Sequence, residues 1–216
     1  MRFRNREHAA HLLAEKLVAY RGQRPLVLGI PRGAVQMAKI IAEALGGDLD
    51  VVLVHKLGAP SNPEFAIGSV DESGRVYLSE HVRELGISKA YIENEKQAQL
   101  QTLHARRAQY TPVRPPLDPS GRVVIVVDNG IATGASMIGA LRAVRAQQPA
   151  KLIAAVAVAP PETIARMQTE ADEVVCVYAP EHFYAVGQFF EDFSQVTDEQ
   201  AIAILRESGA QVTAHA

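Results

Sequence analysis

Residues 122–137, R-V-V-I-V-V-D-N-G-I-A-T-G-A-S-M, constrain the fold more than any other stretch of the chain. Residues 122–127 read as a strand whose last five positions are all aliphatic and mostly β-branched. A strand with one wet face alternates apolar and polar residues, whereas an unbroken apolar run suits a parallel strand buried on both faces. Asp128 closes the strand, and Gly130, Thr133, Gly134 and Ser136 form a short loop of small residues. A helix opens after it with Met137, Leu141 and Val144 on one face. Parallel sheets take their ligands beyond the carboxyl ends of the strands. A small-residue loop leading into a helix leaves backbone N–H groups and two hydroxyls to converge on an anion.

The same strand–loop–helix pattern occurs earlier. Residues 25–30 form an apolar strand that ends in G-I-P-R-G-A, residues 29–34, before a helix over 35–45 closed by Gly46-Gly47. A helix is expected over 7–20 with Leu12, Leu13, Leu17 and Tyr20 inward, and further strands over 50–55, 76–78, 151–158 and 174–178. Residues 56–70 hold two glycines, two prolines and an Asn-Pro pair, which mark a long loop, and loops of that length are usually functional lids. A long polar helix over 88–110 ends at a linker with four prolines, and T-D-E-Q, residues 197–200, is a capping box for a terminal helix. Strands alternating with helices give an α/β fold, a parallel sheet flanked by helices. A single domain over residues 1–216 is expected, with a lid or insertion at about 56–110 and a C-terminal hood at about 178–216.

Composition narrows the class of function. A formal net charge of −2 gives no general affinity for nucleic acid. The polar N-terminus lacks the apolar core of a secretion signal, and no apolar run approaches the ~20 residues of a membrane span. One cysteine forms no intrachain disulfide. The expectation is a soluble cytoplasmic protein without a nucleic-acid or membrane partner. Two phosphate-type loops on neighbouring strands suggest a ligand with two separated phosphate groups. Lys56, at the end of a third strand, adds a cation, and Asp128 is positioned for ribose hydroxyls. By loop composition alone a generic nucleotide site fits nearly as well.

The motifs together are more specific. V-V-I-V-V-D-N-G-I-A-T-G-A-S resembles the phosphoribosyl-pyrophosphate (PRPP) signature of the type I phosphoribosyltransferases. G-I-P-R-G-A is similar to that family's pyrophosphate loop, and K-L-G-A-P-S-N-P-E-F-A-I-G-S resembles the stretch that holds its mobile loop. The resemblance implies that Ala132, Thr133, Gly134, Ala135 and Ser136 wrap a 5′-phosphate. It also implies that Asp128 and Asn129 hold the ribose hydroxyls and that Arg32, Gly33 and Lys56 grip pyrophosphate. Mg²⁺ would bridge pyrophosphate and ribose, with Asp128 as the protein's contribution. Asp128, Asn129, Lys56 and Arg32 would then carry catalysis with PRPP and a nitrogenous base as substrates. F-Y-A-V-G-Q-F-F-E-D-F resembles the base-binding end of the 6-oxopurine enzymes, so Phe183 is expected to stack on a base and Asp192 to lie near its edge or near Mg²⁺. A homodimer, common in that family, is left open.

The chain departs from the pattern at three positions. Asn129 stands where the signature has a second acid, so the site carries less negative charge for the cationic sugar and for Mg²⁺, and restoring Asp there is expected to raise turnover. Ala132 replaces the acid that 6-oxopurine enzymes place before T-G, and Ala159-Pro160-Pro161 stands where they carry a base-reading lysine. A non-catalytic PRPP or nucleotide sensor on the same fold is the alternative, because losing charged groups costs catalysis more than binding.

Overall fold

The structure is a computed structural model that describes residues 1–79 and 81–213, so the last three positions of the expected C-terminal hood lie outside it. The chain runs α1 (Arg6–Lys16), a 3-10 turn (Val18–Tyr20), β1 (Leu26–Gly29), α2 (Ala34–Leu45), β2 (Asp48–Val51), β3 (Val54–Ala59), β4 (Asn62–Asp71), β5 (Val76–Leu78), α3 (His81–Glu84) and α4 (Lys89–Tyr110). It continues through β6 (Val123–Gly130), α5 (Ala135–Arg145), β7 (Lys151–Val158), α6 (Pro161–Met167), β8 (Glu173–Tyr178), a second 3-10 turn (Val186–Phe189) and α7 (Asp198–Thr213).

Five strands form a parallel sheet in the order β2-β1-β6-β7-β8. The run that opened the sequence is its central strand, β6. Val124 and Val126 pack with Met137, Leu141 and Val144 of α5 on one face. Ile125 and Val127 pack with Leu13 of α1 and Ile41 of α2 on the other. Burial on both sides explains the unbroken aliphatic run. The chain moves in opposite directions from β1, to β2 through α2 and to β6 on the other side, which makes the β1/β6 boundary the switch point where such sheets bind ligands. The register pairs Gly29 with Val127, so the loops after both strands start side by side.

Three sequence expectations need correction. The strand expected over 50–55 is two strands in different sheets: β2 ends at Val51, Val52 and Leu53 cross over, and β3 begins at Val54. The crossover residues are as buried and apolar as the strands, so periodicity alone does not show the break. The loop expected over 56–70 is largely a hairpin, β3–β4, in an antiparallel three-stranded sheet with β5. Gly58 and Pro63 sit at its register shifts, and Pro60 lies in the turn between β3 and β4. The helix expected over 7–20 ends at Lys16 and a 3-10 turn follows; of the residues expected inward Leu13, Leu17 and Tyr20 are buried and Leu12 is half-buried, and Arg6, Ala9, Ala10 and Ala14 are buried on the helix as well.

α4 carries the hairpin. Tyr91 donates its hydroxyl to the Gly58 carbonyl at 3.0 Å, and the Arg107 guanidinium forks onto Glu72 at 2.7 and 2.8 Å. At the other end of the molecule the N-terminus is zipped to the chain after β8: Phe3 N–H donates to the Phe189 carbonyl at 2.7 Å, and Glu191 N–H donates to the Phe3 carbonyl at 2.8 Å. The Thr197 capping box is formed, Gln200 N–H donating to Oγ1 at 3.2 Å and Thr197 N–H to the Gln200 Oε1 at 2.9 Å.

Candidate active site at the ends of β1 and β6

A cavity of about 220 Å³ lies at the carboxyl end of β6. Asp128, the loop 130–136 and Met137 line it from the parallel sheet, and Lys56 and Ala66 line it from the β3–β4 hairpin. Residues from the two sheets thus meet at one point.

The loop is shaped for an anion. Gly134, the N-cap of α5, has φ +78° and ψ 0°, a conformation that glycine adopts without a Cβ clash. It has no capping side chain, so the first N–H groups of α5 are left to a ligand. The loop carbonyls are held by α6: Thr163 donates its hydroxyl to the Ala132 carbonyl at 2.6 Å, and Arg166 Nη1 donates to the Thr133 carbonyl at 3.1 Å. Thr163 is buried, and neither residue was singled out in the sequence, where both read as part of an ordinary short helix.

Asp128 accepts the N–H of Asn129 on Oδ1 at 2.7 Å. Burial pushes its carboxyl up to about 7, against the opposing pull of that hydrogen bond and of the Arg6 charge. Among the described residues no three His, Cys, Asp or Glu side chains cluster as a metal cage. Mg²⁺ takes most of its ligands from substrate phosphates and water and needs only one or two carboxylates, of which Asp128 would be one.

Other expected residues stand beside the cavity rather than in its wall. Asn129 turns its amide to Arg6, whose Nε donates to Oδ1 at 3.0 Å. Gly33, the N-cap of α2, has ordinary helical angles of −60° and −33°, so it is glycine for lack of space. A Cβ there would lie 2.6 Å from Asn129 Nδ2 and 3.0 Å from Arg6 Nε. The Arg32 Nη1 lies 3.6 Å from Asp198, which also holds Arg106 Nε at 3.4 Å and accepts from the Tyr110 hydroxyl at 3.4 Å. Phe183 packs its ring on Phe189, 5.2 Å between centroids, while the adjacent Tyr184 is 88% exposed. Asp192 binds the N–H and hydroxyl of Ser194, which holds its carboxyl below the usual range, with a smaller contribution from Arg6. The segment that carries these residues reaches the site through Val186, whose Cγ1 would lie 2.8 Å from a Cβ on Gly130.

Comparison with known proteins identifies the family. The profile of the family described as "Phosphoribosyl transferase domain" matches residues 4–194. The chain belongs to the phosphoribosyl transferase family. A protein of Mycobacterium tuberculosis H37Rv, named provisionally as the phosphoribosyl transferase Rv0571c, is 38% identical over 94% of this chain. The chain spans 46% of that protein, about half the length of the curated relatives it matches. The crystal structure of TT1426 from Thermus thermophilus superposes with a TM-score of 0.83 at 47% identity, covering 96% of this chain and 99% of that one. The AQ2163 protein from Aquifex aeolicus, at 14% identity and a TM-score of 0.51 over 84% of this chain and 76% of its own, shares the fold. Among the described residues no helix is long and apolar enough to cross a membrane.

Proposed function

We propose that the chain is a Mg²⁺-dependent phosphoribosyltransferase that moves the phosphoribosyl group of PRPP to a nitrogenous base and releases pyrophosphate. The observation that carries this reading is the convergence of Asp128, the 132–136 loop and Lys56 on one cavity from two sheets. The uncapped start of α5, with Thr133 and Ser136, binds the 5′-phosphate. Asp128 accepts from the ribose hydroxyls, and Lys56 with the Gly33 loop holds the diphosphate. The base nitrogen forms a bond to C1′ as the C1′–oxygen bond breaks, and the electron pair leaves with the diphosphate. Fixed N–H groups and cations stabilise the charge that gathers there. Mg²⁺, when bound with substrate, neutralises part of the same charge.

The test is pyrophosphate release from PRPP and Mg²⁺ across a panel of purines, pyrimidines and simple amines. Turnover with one acceptor class is expected, and failure to bind PRPP, a nucleoside monophosphate or pyrophosphate in calorimetry would sink the reading. A PRPP sensor on the same fold is favoured by one observation, the neutral Asn129 amide tied to Arg6. Tight PRPP binding without turnover on any acceptor would select it.

A further inference from the structure

Arg6 is a buried cation whose direct contacts are all neutral groups. The residue is 8% exposed. Its Nε donates to the Asn129 amide oxygen at 3.0 Å, its Nη1 donates to the Ser194 carbonyl at 2.7 Å, and its guanidinium lies 4.1 Å from the centroid of the Phe193 ring. Among the described residues no carboxylate forms an ion pair with it; Asp128 and Asp192 act on it only at longer range. Arginine keeps its proton in proteins, so this charge is present and its desolvation is unfavourable. A carboxylate at position 129 would have paired with it, and the amide found there leaves it without a contact ion pair.

The guanidinium is also directed at the expected diphosphate loop. Its Nη2 has no hydrogen-bond acceptor among the described residues and would lie 3.3 Å from a Cβ on Gly33. Gly33 is the N-cap of α2, a helix of 12 residues whose start no side chain caps; of its first turn the Val35 N–H donates to the Arg32 carbonyl at 3.2 Å. A buried guanidinium with a spare donor beside an uncapped helix start fits a multiply charged anion better than a sugar hydroxyl or a neutral base.

We propose that Arg6 is a diphosphate-binding residue, its Nη2 donating to an oxygen of the leaving pyrophosphate seated on the start of α2. This assignment rests on the phosphoribosyltransferase reading. Arg6 would stabilise the negative charge of the leaving group, not that of the cationic sugar, and it arrives from α1, an element that neither phosphate-type loop includes. The alternative role, a purely structural tie between α1, β6 and the segment after β8, uses only the two bonds already made.

The test is calorimetry with inorganic pyrophosphate and with ribose 5-phosphate, each with Mg²⁺ present and absent, on the wild type, Arg6→Gln and Arg6→Lys. Loss of one charge-assisted hydrogen bond predicts pyrophosphate binding about 10- to 100-fold weaker in Arg6→Gln, with ribose 5-phosphate affinity within about threefold of wild type and Arg6→Lys between the two. Equal pyrophosphate affinity in the wild type and Arg6→Gln, with both ligands still bound, overturns the role of Arg6 and leaves the function reading standing. A wild type that binds neither ligand overturns both. Should Arg6→Gln not fold, the side-chain ¹⁵Nε signal of Arg6, assigned by its loss in Arg6→Lys, reports on the wild type. It should shift with pyrophosphate and not with ribose 5-phosphate, and an unmoved signal overturns the proposal.

Discussion

Asp128 concentrates the chemistry of the site in one titration. Its folded carboxyl keeps its proton up to about 7, whereas an unfolded chain gives that proton up near the ordinary carboxylate value of about 3.9. Between those values the folded state holds the extra proton, so stability falls as pH rises. Relative to Asp128→Asn, which carries no charge at any pH, the metal-free wild type should therefore lose stability from about pH 4 to about pH 7 and level off above. Denaturation midpoints of the two proteins across that range check this, and parallel curves would show that the carboxyl is not buried as described. Position 129 gives a second prediction. The signature alone suggests that Asp there raises turnover. With Arg6 Nε 3.0 Å from the Asn129 oxygen, Asn129→Asp instead creates an ion pair that claims the guanidinium. Pyrophosphate affinity should fall about 10-fold, measured by calorimetry, and a rise would restore the simpler view of a lost acid. Asp128 and the 132–136 loop were legible in the sequence because strand, acid and small-residue loop are contiguous. Arg6 was not, because its partner Asn129 lies 123 residues away and a single arginine in the first turn of a polar helix reads as solvent-facing.

The β3–β4 hairpin is the element that brings Lys56 over the cavity, and its seat is narrow. Gly139 of α5 faces Ser69 of β4 so closely that an added Cβ would fall on the serine hydroxyl and lie 3.0 Å from its Cβ. Ser69 is 1% exposed and is paired in register with Lys56 on β3. Gly139→Ala should consequently cost about 1–3 kcal/mol of stability by overpacking, partly offset by about 1 kcal/mol of improved helix propensity. It should also weaken pyrophosphate binding as Lys56 moves. Adding Ser69→Ala removes the hydroxyl from the collision, so the double variant should be more stable than the sum of the single changes predicts. Additive denaturation energies would mean that the two elements do not touch there. At this scale the sequence was read less well. The glycines and prolines of residues 56–70 have the composition of a loop, and only pairing with the neighbouring strand shows that Gly58 and Pro63 lie at irregularities of a hairpin whose turn holds Pro60. The parallel strands β1, β6 and β7 were easier to find, since burial on both faces leaves its mark within each strand.

Across the whole molecule, the first residues and the segment after β8 form one packing unit that positions Arg6. Phe3 is fully buried and stacks on Phe190, 5.1 Å between centroids. Phe190 meets Phe193 at 4.8 Å, and Phe193 lies under the Arg6 guanidinium at 4.1 Å. Backbone bonds run alongside, from Phe3 to Phe189 and Glu191 and from Asp192 to Arg4. No local pattern in either stretch announces this arrangement, because it exists only once segments far apart in the chain meet. Phe3→Ala removes the first ring of the series and leaves a cavity that the surrounding backbone can close only in part, so it should destabilise the protein by about 3–5 kcal/mol in chemical denaturation. The loss should not be spread evenly. The Glu191 and Asp192 amides, which donate to the Phe3 and Arg4 carbonyls, should lose much of their protection from hydrogen exchange, while the amides of central β6 keep theirs up to the lowered global stability. Unchanged protection at Glu191 and Asp192 would show that the segment after β8 is held by α7 and the sheet rather than by the N-terminus. The packing route from Phe3 to Arg6 would then carry no energetic coupling.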